Sequence, residues 1–269
     1  YLFRIFGIDV RVHWTFPIVF LWLGFNFITV AAVATLFFTV LLHELGHCFA
    51  ARSVGAQARE ILMLPFGGLA LTSGGRTAAQ WIWISLAGPL MHVPIALLCA
   101  GYLTQAGVPP GLSDLNPLAP LTPPDTSLVD FYVYCVLRLQ VFLFCLNMLP
   151  AYPLDGGQVL VGLMSSRLPL KATLGVAAAL SVLATLLMFQ IGFSIVGILL
   201  AIEVFGLISA LMSGTYDWHP VAALYGPRAA VPAPPTPVHT ELRQCPHCGQ
   251  SIHPRSELCA HCNATFTQD

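Results

Sequence analysis

Residues 41–50, LLHELGHCFA, set two histidines and a glutamate inside a run that otherwise has the composition of a membrane span. An ionisable side chain near a bilayer centre is costly, so this grouping demands a reason. Two readings compete, a buried polar pair satisfied by neighbouring helices and a metal site. His43 and His47 stand four residues apart, on one helical face, as a chelate requires. Glu44 borders that face, where it can take a proton from water without ligating a metal itself.

The rest of the chain supports a membrane setting for that stretch. Of 269 residues, 57% are hydrophobic and 9% charged, whereas an ordinary soluble domain carries about 25% charged residues. Much of the surface must therefore face lipid. The net charge of −1 gives no footing for nucleic acid. A helix needs about 20 apolar residues to cross the hydrocarbon. Runs of adequate length occupy 27–51, 81–103, 131–149, 172–189 and 191–212. A sixth, 14–24, is short and meets the next across a GFN turn. The first apolar run lacks a small-residue cleavage site, so no cleavable signal peptide is expected.

Charge orients the spans. Arg4 and Arg11 precede the first; Arg52, Arg59 and Arg76 follow the second; Arg167 and Lys171 follow the fourth; Arg228 follows the sixth. The 104–130 loop has no Lys or Arg. The positive-inside rule then places both termini in the cytoplasm and that loop outside, in a multi-pass cell-membrane protein. The predicted fold is an all-α polytopic membrane protein of about six transmembrane helices. Between the second and third lies ILMLPFGGLALTSGG, 61–75, whose apolar residues around Gly-Gly predict a hairpin or re-entrant loop.

Two histidines leave a tetrahedral zinc one protein ligand short when its fourth position holds water. The candidate lies in NMLPAYPLDGGQVL, 147–160. Asp155 follows the fourth span, on the same side as His43 and His47 in this topology. Pro150 and Pro153 break the helix, and Gly156 and Gly157 allow the backbone to turn inward. Asp155 at a helix N-cap is the competing reading, compatible with ligation.

HELGH, the FGG loop, SLAGP at 85–89 and NMLPAYPLDGG, spread over residues 1 to about 215, resemble the site-2 proteases, zinc-dependent intramembrane proteases. The resemblance implies that His43, His47 and Asp155 bind zinc, that Glu44 is the general base, and that a wet cavity admits water. It also implies cleavage of transmembrane segments of single-span proteins, such as membrane-tethered anti-sigma or transcription factors, in regulated intramembrane proteolysis. Asn147 matches a family asparagine, which implies a contact to substrate backbone or oxyanion. The 60–74 stretch would pair with unwound substrate as an added strand. One position departs from the pattern: many members carry asparagine three residues after the proline of AGP, where this chain has His92.

Arg138 and Glu203 are further charges inside spans, suited to pairing or to lining a substrate gate. His13 with Trp14, and Trp218 with His219, fall at span ends, where belt anchoring accounts for them. Cys48, Cys99, Cys135 and Cys145 are scattered in apolar runs as small hydrophobes.

Residues 226–240 are a proline-rich linker that could reach roughly 45 Å when extended. It separates a membrane domain, 1–225, from a tail, 241–269, with two C-x-x-C pairs: Cys245, Cys248, Cys259 and Cys262. This tail resembles a zinc ribbon, and four thiolates make a closed structural site in a reducing compartment. A ligand swap with His247, His253 or His261, or iron in a rubredoxin-like site, would satisfy the same spacing. A protein partner or substrate suits the tail better than nucleic acid, since its charge is balanced. The chain is thus expected to hold one catalytic and one structural zinc. A catalytically inactive relative acting as a membrane-protein scaffold is the alternative, against which the intact Glu44 argues. A metal-ion transporter would need a second intramembrane ligand cluster, and the sequence offers none.

Overall fold

A computed structural model describes residues 1–65, 67–72, 77–111, 113, 115–116, 127–216 and 220–225, with 243–244, 248, 251–252 and 262 of the tail. Two compact units result, Tyr1–Tyr225 and Gly226–Asp269.

The first unit opens with strands, which corrects the all-α expectation. β1 (Phe3–Ile5) and β2 (Ile8–Val12) form a hairpin, and β2 pairs in parallel with β3 (Ala58–Leu64). Antiparallel β4 (Gly67–Thr72) completes a four-stranded sheet in the order β1-β2-β3-β4. The hairpin expected around Gly67 and Gly68 is therefore present, at the edge of a larger sheet. The alternation that builds β2 is plain: Ile8 and Val10 are fully buried, while Asp9 and Arg11 turn outward. Those charges pair across strands, Arg4 with Asp9 and Arg11 with Glu60, both at 3.3 Å, and so favour one register.

The sheet packs on α2 (Phe27–Ser53), and α2 in turn packs on α3 (Ala78–Leu90). Ile8, Val10, Ile61 and Met63 share one core with Leu41, Leu45 and Cys48 of α2 and Ala87 of α3. Arg52, in the last turn of α2, fixes the join. Its guanidinium donates to the carbonyls of Phe6 (2.6 Å), Gly7 (3.3 Å) and Ala58 (2.7 Å). Asn26 caps the opposite end, accepting from the N–H of Thr29 at 3.0 Å.

The chain between Gly7 and Asn26 must therefore run the length of α2, about 40 Å at 1.5 Å per residue. It contains a single short helix, α1 (Ile18–Leu23), of six residues, which covers only about 9 Å. The expected crossing at 14–24 is thus no spanning helix; strand, loop and α1 share the distance, with Phe16 packed against Phe37 midway along α2.

Among the described residues, five helices are long and apolar enough to cross a bilayer. They are α2; α3 continued by α4 (His92–Gln105); α5 (Leu128–Asn147); α7 (Leu170–Gln190); and α8 (Ser194–Ser213). Their bounds fall within a few residues of those expected. The α3–α4 span is interrupted at Met91. Pro89 and Pro94 each lack an N–H, so the hydrogen-bond ladder is broken on both sides of His92. A shorter helix, α6 (Asp155–Met164), packs between α3 and α7. The molecule is a polytopic membrane protein with a sheet at one end of its second apolar segment.

In the second unit, β5 (Arg243–Gln244) pairs with β6 (Ser251–Ile252) in antiparallel fashion. Cys245 and Cys259 lie outside the described residues, as does the 226–240 linker, so the ribbon expectation is not addressed there. Cys248 and Cys262 are exposed.

Candidate metal centre

His43 and His47 project from one face of α2, one turn apart, with ring centroids 4.7 Å from each other. Their Nε2 atoms face each other at 3.0 Å. Asp155, the first residue of α6, closes the group: one carboxylate oxygen lies 3.1 Å from Nε2 of His43 and the other 3.3 Å from Nε2 of His47. Asp155 is not the N-cap, which is Leu154, and its carboxylate serves the histidines instead. All three side chains are largely buried.

Small residues make this convergence feasible. A β-carbon on Gly88 of α3 would overlap the imidazole of His47 and approach that of His43. One on Gly46 would strike the backbone of Ala87, so α2 and α3 meet at glycine contacts on both sides. Gly156 and Gly157 act in the same way: a β-carbon on either would collide with the backbone of 148–152. Their use is close approach, since both sit in helical conformation and neither has a positive φ.

The donor set fits a tetrahedral cation. Nδ1 of His47 lies 2.7 Å from the carbonyl of Ile84. A carbonyl only accepts, so that nitrogen carries the proton and Nε2 is left with a lone pair. A lone pair, a second imidazole nitrogen and a carboxylate gathered inside an apolar bundle require a shared positive charge. Ligands held about 2.0–2.1 Å from a tetrahedral zinc lie about 3.3 Å apart, close to the separations found.

Glu44 stands beside this group without joining it. Its Oε2 accepts the backbone N–H of Ala70 in β4 at 2.9 Å. Gly68 packs so closely that a β-carbon there would fall 2.5 Å from the Glu44 side chain. The hairpin is thus a rest for the carboxylate. A cavity of about 340 Å³ opens on His43, Glu44, Gly68, His92, Asn147 and Glu203, a size typical of ligand pockets.

Other expected residues sort clearly. Asn147, the last residue of α5, reaches the cavity, and its Nδ2 donates to the carbonyl of Leu143 at 3.0 Å. Glu203 of α8 also lines the cavity, whereas Cys48 turns into the core under the sheet. His92 is buried and faces Nδ1 of His43 at 3.1 Å, on the side away from Asp155. Two residues carry no sequence signal for this site: Gln140 and Thr39, which hydrogen-bond in a line behind His92.

The model of peptidase family M50 matches residues 31–189, more than half of the chain, including all three clustered side chains. The chain belongs to peptidase family M50. This M50 chain is 29% identical over 207 residues to a zinc metalloprotease of Methanocaldococcus jannaschii, covering 74% of its own length and 55% of that protein. It is 30% identical over 142 residues to stage IV sporulation protein FB of Bacillus subtilis, covering 52% of itself and 42% of that protein. It thus spans about half the length of these curated relatives. The site-2 protease structure from M. jannaschii superposes with a TM-score of 0.50 at 24% identity, over 79% of this chain and 93% of that one. That match shows a shared fold.

Proposed function

We propose that this M50 chain is a zinc endopeptidase that hydrolyses peptide bonds within or beside transmembrane segments of single-span membrane proteins, in regulated intramembrane proteolysis. The observation that carries this reading is the convergence of His43, His47 and Asp155 beside Glu44, with His43 and Glu44 lining a cavity among apolar helices. Zinc held there by those three side chains would supply Lewis acidity toward the scissile carbonyl and toward water.

The chain's own residues do the rest. Glu44 takes the proton of the attacking water and returns it to the leaving amine. The Ala70 N–H keeps one Glu44 oxygen in place, which aims the carboxylate. Ala70 turns that N–H away from β3, so the outer edge of β4 runs past Glu44. An unwound substrate segment added to that edge would bring its peptide bonds to the base. Asn147, at the cavity wall, is placed to steady substrate backbone or a developing oxyanion.

In the same reading both termini are cytoplasmic. The four tail cysteines hold a second, structural zinc in a module that recognises a protein partner or the substrate. The natural substrates would be membrane-tethered regulators such as anti-sigma or transcription factors. The test is cleavage of a single-span substrate by purified protein in micelles. Zinc dependence is expected, and Glu44→Gln should cut the rate by about 10²–10⁴-fold while metal stays bound. Cleavage by Glu44→Gln at the wild-type rate would overturn the proposal. A comparison of membrane fragments in cells carrying either form would then identify substrates.

A further inference from the structure

Behind the metal centre lies a continuous line of buried polar side chains that the proposed reaction does not use. Nδ1 of His43 is 3.1 Å from Nε2 of His92; Nδ1 of His92 is 2.8 Å from Oε1 of Gln140; Nε2 of Gln140 is 3.1 Å from Oγ1 of Thr39. His92 is 2% exposed and Gln140 1%. The line starts and ends on α2, since Thr39 and His43 are one turn apart, and crosses α4 and α5 between.

Its polarity runs one way. The Gln140 carbonyl oxygen only accepts, so Nδ1 of His92 carries the proton and donates. Nε2 of His92 is then the acceptor of a neutral ring. Nδ1 of His43 must donate to it, which leaves the lone pair of His43 on Nε2, toward Asp155 and His47. The Gln140 amide donates in turn to the Thr39 hydroxyl.

We infer that His92 and Gln140 are positioning residues that hold His43 in the tautomer and ring orientation needed for metal ligation. This deepens the zinc-site reading and rests on it. The usual partner of a metal-ligating histidine is a carboxylate or a backbone carbonyl; His47 has such a partner in Ile84. His43 has a second imidazole, itself polarised by an amide one step further out. The broken ladder between α3 and α4 places that imidazole at the first position of α4, inside the bundle.

The test titrates Zn²⁺ against a chromophoric chelator with the full chain in micelles. Asp155→Ala serves as the reference that isolates the membrane site from the tail cysteines. His92→Phe and Gln140→Leu should each weaken that site by about 10–100-fold. The double variant should lose no more than the weaker-binding single, because both remove one relay. His92→Asn, which can again accept from His43 and donate to Gln140, should recover most of the affinity. With histidine ¹⁵N-labelled, the metal-free wild type should show His43 protonated at Nδ1, and His92→Phe should show mixed tautomers. Wild-type affinity in both single variants, or losses that multiply in the double, would overturn the relay while leaving the zinc site standing. A site unaffected by Asp155→Ala would bring down both.

Discussion

Three ligand atoms at one point cost a protein most at its smallest residue. In a helix interior, replacing glycine by alanine ordinarily stabilises by about 0.8–1 kcal/mol. At Gly88 the added carbon would enter the space of the two imidazoles. Here that gain is outweighed: Gly88→Ala is expected to cost about 1–3 kcal/mol by overpacking and to weaken zinc binding by roughly tenfold or more. Far-ultraviolet melting set beside a zinc titration checks both halves; unchanged affinity would mean the histidines can shift away. Sequence reading reaches this scale unevenly. His43, Glu44 and His47 are legible because a helix puts a five-residue motif on one face. Asp155 is legible through the glycine and proline pattern around it. Gln140 is not, since its partner His92 is 48 residues away and belongs to another helix. A lone glutamine in an apolar run has no period that points to its contact.

At the scale of elements, the five described helices long enough to span could be read from run length alone, because lipid leaves a helix few other choices. The N-terminal strands escaped for two reasons. Each is short, and the partner that stabilises β2 is β3, with Asp9 opposite Glu60. Local alternation cannot reveal a parallel neighbour that far along the chain. Arg52, used in sequence only as a topological charge, proves to tie β1–β2 and β3 to the end of α2. Arg52→Met keeps the aliphatic stem and removes the hydrogen bonds to Phe6, Gly7 and Ala58. A loss of about 1–2 kcal/mol is expected, confined to this corner. Hydrogen exchange should report it as roughly tenfold faster exchange of the β1 and β2 amides, with α7 and α8 unaffected. Equal protection in both forms would mean the core around Ile8 and Val10 holds the strands unaided.

Across the whole molecule, the sheet and α2 together govern sidedness. The Phe6–Gly7 turn and Ala58 meet the same arginine, so they lie at the same end of α2 whatever path links them. In the orientation proposed from loop charge, that end is the cytoplasmic one. A reporter fused near Ser113 is accordingly expected to read as external, and one near Ala230 as cytoplasmic. The reverse at either point would overturn the proposed orientation. In the proposed orientation the segment from Gly7 to Asn26 would return the chain alongside α2, from the end held by Arg52 to the end capped by Asn26.

The parallel pairing of β2 with β3 also sets an order of assembly. The ribosome finishes β1 and β2 before α2 exists and reaches Glu60 only about fifty residues later, a delay of roughly 3–10 s at ordinary rates of synthesis. Throughout that interval the hairpin waits with an open backbone edge, while α2 enters the membrane and turns its C-terminal end back toward it. Open edges invite pairing with the wrong chain, and charge is a common guard against it. Arg4, Asp9 and Arg11 sit on the waiting hairpin, and Arg11 later receives Glu60 as its mate. A membrane protein with this connectivity cannot complete its sheet until insertion of α2 has succeeded. The carboxylate perch at Ala70, built on the last strand of this sheet, is therefore the last part of the corner to form, so a nascent chain carries the Glu44 side chain unaimed until the corner is closed.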